Sequence, residues 1–148
     1  MSVVKGKRGE NKLEVLGYAA KAAVETIRYV KKEKLFPRRE RWILAVPIAL
    51  LAIAAYVCAR MANARYIEDA TDPTKAELRK ADVEYRLHLE KIAHGCYQAQ
   101  LGLMDIAYEL REGVDSHTVE VWTGYVLDAD TALLKWIKSE KSRAKPGE

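Results

Sequence analysis

Residues 42–59 read WILAVPIALLAIAAYVCA, eighteen positions from Trp42 to Ala59 without a charge. Such a length stands at the lower limit of a membrane span. Six of the eighteen are alanine, however, and Pro47 interrupts the run. Arginines lie close to both ends, Arg38, Arg39 and Arg41 before it and Arg60 and Arg65 after it, so no charge bias sets an orientation across a bilayer. The rival reading is a helix that is apolar on all sides in a soluble protein. Such a helix must bury more than one face, and partner helices of one bundle cover only one of them well. The excess points to subunit contacts, with Trp42, Ile43, Val46, Leu50, Ile53 and Tyr56 as the expected oligomer interface. A single-span membrane-anchored scaffold is the alternative.

Outward from this segment, chain breakers mark turns and apolar spacing marks helices. Toward the N-terminus, Phe36-Pro37 closes a connection, because the residue before a proline is driven out of helical conformation while proline suits a first turn. Before it, Asn11 is a plausible N-cap, and Leu13, Leu16, Ala20, Ala23 or Val24, Ile27 and Val30 recur every three or four residues. Toward the C-terminus, Asp72-Pro73 repeats the device, with Asp72 as N-cap. Beyond it Leu78, Ala81, Tyr85, Leu89, Ile92, Cys96, Ala99, Leu103, Ile106 and Leu110 define a third helical stripe. That helix would be about 57 Å long if Gly95 and Gly102 leave it unbroken. Gly113 and Asp115-Ser116 mark the third turn, and Val119, Trp122, Val126, Ala129, Leu133, Trp136 and Ile137 line a fourth helix.

The expected organisation is all-α: a disordered basic N-terminus over 1–10, an antiparallel four-helix bundle over 11–140, and a flexible tail over 141–148. The helices are placed at about 11–34, 38–69, 74–111 and 116–139. Composition agrees, since the chain of 148 residues has only 4 Pro and 8 Gly and is rich in Ala, Leu, Lys, Arg and Glu. A chain this long supports one core. The polar N-terminus carries no hydrophobic signal region, and Cys58 and Cys96 both lie in apolar segments. The expected location is the cytoplasm, with both thiols reduced.

The net charge of +4 is unevenly spread. Residues 1–41 carry 12 Lys/Arg against 5 Glu, residues 42–134 carry 8 against 14 Asp/Glu, and residues 135–148 carry 5 against 2. The densest basic stretch is Arg28, Lys31, Lys32, Lys34, Arg38, Arg39 and Arg41, across the first turn. It suits a polyanion held by counterion release without sequence preference; lysines that merely complement a helix C-terminus are the plainer alternative.

Chemistry-bearing patterns are sparse. His88 and His94 each follow a glutamate, Glu84 and Glu90, by four residues, which reads as two surface pairs rather than the Glu-x-x-His ligation of a di-iron bundle. His117 has no ligand partner at metal spacing. The two cysteines read as small hydrophobes, Trp42, Trp122 and Trp136 as core and interface anchors, and the acids as solvated helix faces. No glycine-rich phosphate loop or nucleophile elbow is present in the sequence. The expectation is a non-enzyme with no cofactor and no metal site.

Four stretches resemble a known family: FPRRERW (Phe36 to Trp42), CARMANARY (Cys58 to Tyr66), ELRKADVEYRLHLEKIA (Glu77 to Ala93) and LLKWIKS (Leu133 to Ser139). In this order and spacing they are similar to the accessory variability determinant proteins of diversity-generating retroelements, over about Leu35 to Ser139. That branch belongs to a wider four-helix-bundle group with proteins encoded in ribosomal RNA intervening sequences. Those typically carry Ser-Ile-Pro-Ser-Asn-Ile in helix two, which Val46-Pro47-Ile48 does not match, and the third helix here is a turn or more longer than usual. The resemblance implies a homopentameric barrel of four-helix bundles that binds a reverse transcriptase and its template RNA and supports error-prone cDNA synthesis. It implies no residue-level RNA motif. Charge alone nominates Arg28, Lys31, Lys32, Lys34, Arg38, Arg39 and Arg41 as phosphate contacts, with Arg60 and Arg65 secondary. A structural or nucleic-acid-binding oligomer of the intervening-sequence type is the alternative.

Overall fold

The computed structural model describes residues 10–67, 71–110 and 115–144. Among them are four α-helices and no strand: α1 Glu10–Val30, α2 Val46–Ala64, α3 Ala76–Glu109 and α4 Ser116–Ala144. Residues 1–9 of the segment expected to be disordered, the Gly113 turn, the expected helix ends at Asp69 and Arg111 and the last four residues of the tail lie outside the described residues, while Glu10, expected in the disordered segment, opens α1.

Local chemistry explains most of the boundaries. Helix α1 stops four residues short of the expected end, and overlapping turns carry the chain on, with Leu35 N–H and Phe36 N–H both donating to the Lys32 carbonyl. It also begins at Glu10, so Asn11 lies inside the first turn and is no N-cap. After Pro37 the chain makes a 3-10 turn, Arg38–Glu40, and then a π-helical turn, Arg41–Ala45, in which Val46 N–H reaches back five residues to the Arg41 carbonyl. Pro47 accounts for the widening: it has no N–H for the Ile43 carbonyl and its ring crowds that oxygen. Helix α2 ends where Arg65 turns extended. Asp72 caps the next turn, its carboxylate accepting from Thr74 N–H at 3.0 Å with Pro73 behind it. Helix α3 runs unbroken through Gly95 and Gly102 for 34 residues. Asp115 accepts from His117 N–H at 3.0 Å at the start of α4, and α4 continues to Ala144, five residues past the expected end at Ser139.

Helix α1 packs on α2 and α4, and α3 packs on α2 and α4. Leu35 and Phe36 of the first connection face Met104, Ala107 and Trp122 across a small cleft, which places that connection against the end of α3 and the start of α4. There Trp122 stacks on Tyr29 at 5.2 Å and meets the edge of Phe36 at 5.9 Å. The Thr26 hydroxyl accepts from Trp122 Nε1 at 3.1 Å and from Gln100 Nε2 at 2.8 Å, joining α1, α3 and α4 at one buried point. The expected stripe on α4 is the buried one. On α1 the buried face is Val15, Leu16, Ala19, Ala22, Ala23 and Thr26, shifted from the expected set, and Val24 is exposed.

The expected stripe on α3 needs a larger correction. Of its ten residues only Leu89 is buried, while Leu78, Tyr85, Ile92, Ile106 and Leu110 are exposed. The inward face instead carries Asp82, Val83, Arg86, Glu90, Ala93, Tyr97, Gln100 and Met104. Asp82, Arg86 and Gln100 among these meet partners on other elements. The Arg86 guanidinium, 2% exposed, pairs with Glu140 of α4, 1% exposed, and also donates to the Arg65 carbonyl at 3.1 Å. Trp136 Nε1 donates to the same Glu140 carboxylate at 2.9 Å, and Arg65 Nε meets Asp82 at 2.8 Å. The expectation that the acids form solvated faces therefore fails for Glu25, Asp82, Glu90, Asp130 and Glu140, all buried. Glu90 is not a surface partner of His94. That imidazole turns to α4, its Nδ1 2.7 Å from Asp130, which Gln98 also reaches at 2.9 Å.

Removing one member of a buried ion pair leaves an uncompensated charge, worth about 3–5 kcal/mol, whereas replacing both by apolar groups is far milder. Glu140→Ala should therefore lower the unfolding free energy by about that much. The double change Arg86→Met with Glu140→Leu should cost clearly less than the single one. Urea denaturation of the three proteins checks the order.

Candidate functional site

The first feature with functional shape is the basic connection between α1 and α2. Lys31, Lys32, Lys34, Arg38 and Arg39 are all exposed there. Several cations of the cluster have local partners. Arg28 lies 3.2 Å from Glu25, Arg41 lies 3.8 Å from Glu33, and the Lys32 ammonium sits 4.4 Å from the centre of the Tyr29 ring. Lys31, Lys34, Arg38 and Arg39 are the members most open to a ligand. The turn geometry explains their crowding: the chain reverses within a few residues, so the end of α1 and the 3-10 turn present their side chains at the same pole.

The secondary candidates are not brought to this cluster. Arg60 is exposed but stands near the other end of α2, about 28 Å from Arg41 along the helix axis. Arg65 is committed to the fold: it binds Asp82, its guanidinium lies 4.7 Å from the Tyr85 ring centre, and its carbonyl receives Arg86. Nothing in the local sequence separates these two arginines, because the partner Asp82 is contributed by another helix.

The second feature begins beside the basic turn. Helix α2 turns its small side inward, with Ile48, Ala52, Ala55, Ala59 and Ala62 buried. Alanines at a helix contact let the backbones approach closely. The large apolar residues consequently point out: Trp42 is 81% exposed, Ile43 70% and Leu50 59%, with Val46, Ile53, Val57 and Met61 also exposed and Tyr56 half-buried. The stretch Arg38–Ala64 is long and apolar enough to cross a membrane by length and composition, and 33% of its most apolar part is buried. The exposed stripe of α3 adjoins this face. Tyr85 touches Arg65 at the end of α2, and farther along Cys58 and Cys96 lie close enough to influence each other.

Little else offers reactivity. Burial pushes both thiols above the ordinary cysteine range, and for Cys96 the neighbouring Cys58 adds to it; neither is an activated nucleophile. Burial also raises the Tyr97 phenol strongly. Among the described residues no group of three or more His, Cys, Asp or Glu could hold a metal ion. His88 and His117 are exposed and stand apart from the His94 and Asp130 pair. Compared with protein-family profiles, curated proteins and solved structures, the chain finds no match.

Sequence reading overlooked the buried polar contacts. Two signals for them were present: Glu140 continues the α4 stripe four residues after Trp136, and Thr26 lies among the apolar positions of α1. The division between committed and open arginines has a direct test. Arg65→Ala leaves Asp82 without its charge-assisted partner and should cost about 1–3 kcal/mol of stability. Arg38→Ala and Arg39→Ala should each stay within about 0.5 kcal/mol of the parent, as exposed substitutions do. Chemical denaturation of the three variants distinguishes the two groups.

Proposed function

We propose that this chain is a non-catalytic accessory protein of a diversity-generating retroelement. In this reading the four helices form an antiparallel bundle that assembles into a homo-oligomer, a pentamer by the resemblance. The assembly binds the reverse transcriptase and its template RNA through basic surfaces and supports error-prone cDNA synthesis in the cytoplasm. The carrying observation is the inverted α2, which buries alanines and exposes Trp42, Ile43, Leu50 and Ile53 right beside Arg38 and Arg39. An apolar face of this length favours a cover, since water-exposed apolar area costs roughly 25 cal/mol per Å², and large exposed patches mark interaction sites. A second copy covers it most economically, and the basic turn at its edge then repeats around the assembly. Repetition multiplies the weak attraction of each cluster for a phosphate backbone.

Light scattering in detergent-free buffer should give a mass several times the 16.7 kDa of one chain. Leu50→Asp combined with Ile53→Asp should shift it to the single-chain mass with helicity retained, because both residues are exposed in the single chain. A monodisperse wild-type monomer, or a protein recovered only with lipid vesicles, overturns the assembly.

The accessory role is tested with the reverse transcriptase and template RNA together. The chain alone should yield no cDNA, and adding it should raise the polymerase's yield. Reversing Lys34, Arg38 and Arg39 to glutamate should abolish that gain with the oligomer intact. His88→Gln with His117→Gln should leave it unchanged. Loss in the histidine variant, with assembly preserved, would contradict a role carried by charge.

A further inference from the structure

We infer that the outer seam between α3 and α4 is a second phosphate-binding strip, carried by Lys80, Lys91, Lys135, Lys138 and Lys141. This inference rests on the proposed RNA-binding function and adds to it a surface in which lysines of the basic C-terminal stretch meet Lys80 and Lys91 of the acidic middle one.

The seam's position is set by contacts between the two helices. His94 and Gln98 meet Asp130, Arg86 meets Glu140, and Arg79 donates to the Arg143 carbonyl at 2.7 Å. The helices therefore run in opposite directions, with the first half of α3 beside the second half of α4. On α3, Lys80, Glu84, Leu87, Lys91, His94 and Gln98 recur every three or four residues, so the lysines share the α4-facing edge. On α4, Lys138 and Lys141 succeed Thr131 and Leu134 along the edge facing α3, and Lys135 flanks them. All five lysines are exposed.

The seam is basic because of where its acids go. Asp82, Asp130 and Glu140 belong to these same stretches, yet all three are buried, Asp82 and Glu140 paired with Arg65 and Arg86 and Asp130 in contact with His94 and Gln98. Within the stretch from Lys80 to Gln98, Glu84 is the acid left exposed along the α3 edge, with Glu77 and Asp128 toward the periphery; Asp105 and Glu109 are exposed farther along the same helix, beyond the strip. Residues 42–134 are acidic taken as sequence, yet Lys80 and Lys91 from that stretch join Lys135, Lys138 and Lys141 on a cationic edge. The strip is separate from the basic turn, since Trp122, at the level of that turn, stands about 24 Å from Lys138 along α4. It also lies on the opposite side of α3 from the apolar stripe that adjoins α2. A partner covering the α2 and α3 apolar face leaves the lysine seam turned outward. Exposed ammonium groups on flexible stems along one edge suit a phosphate backbone, held without base readout.

The test measures binding of a short RNA duplex of arbitrary sequence to the full-length protein between about 50 and 200 mM salt. Three forms are compared: wild type, the turn variant with Lys34, Arg38 and Arg39 changed to Glu, and the seam variant with Lys135, Lys138 and Lys141 changed to Glu. A Lys→Gln triple at the seam guards against a folding defect from the new carboxylates. If the three seam lysines each meet one phosphate, the salt-driven loss of affinity over that range should shrink by roughly 40-fold in the seam variant. The turn variant should keep a measurable salt dependence, and combining the two should reduce it below that of either alone, to the part that Lys31, Lys80 and Lys91 still carry. A seam variant with wild-type salt dependence, while the turn variant loses all of it, overturns the strip and leaves the proposed function standing. A wild-type protein that ignores RNA or salt overturns the RNA-binding reading itself.

Discussion

A guanidinium as deeply buried as Arg86 must meet a carboxylate, and here the carboxylate comes from a helix that lies on one side only. That requirement sets the rotation of α3 about its axis. Once Arg86 points at Glu140, the helical repeat forces Asp82, Glu90, Ala93 and Gln100 inward with it, and Leu78, Tyr85, Ile92 and Ile106 outward. The other polar contacts are consistent with this rotation, from Arg65 on Asp82 to Gln100 on Thr26. Apolar burial alone would favour a different rotation, with the ten-residue apolar stripe against the core. The ion pair is weak evidence of extra stability; its larger effect is to select one packing over another.

The apolar face and the lysine seam both descend from this choice. Turning the polar edge of α3 inward hides carboxylates that would otherwise neutralise neighbouring lysines, and it displaces an apolar row to the outside next to the large residues of α2. The molecule thus separates two kinds of surface on either side of one helix. For the proposed accessory role the separation matters, because one face can be consumed by assembly while the other stays open to a polyanion.

Helix composition, the proline turns and the buried face of α4 were legible in the sequence because they depend on local propensity and on one dominant periodicity. The outward face of α2 was legible too, since an eighteen-residue uncharged stretch has more apolar sides than one neighbour can cover. The rotation of α3 was not. The acids of α3 read as a solvated face and Glu90 as the surface partner of His94, and only partners far away in sequence reveal Asp82 and Arg86 as core. The basic turn was visible because its charges are contiguous along the chain. Arg65 and the lysine seam were opaque for the converse reason: which charges remain free is decided by contacts between helices.

The π-helical turn at Arg41–Ala45 couples the basic turn to the apolar face through helical phase. A residue inserted into or deleted from a helix rotates everything upstream by about 100° relative to the downstream turns, and the wide turn accommodates one more residue than an α-helical turn would. Arg38, Arg39 and Trp42 owe their bearing relative to Leu50 and Ile53 to that accommodation. A relative that lacks Pro47 and winds this turn as ordinary α-helix could keep every basic and apolar side chain and still present them in different directions. Chain length between Phe36 and Pro47 is therefore a more sensitive marker of shared architecture than the identity of the residues it contains.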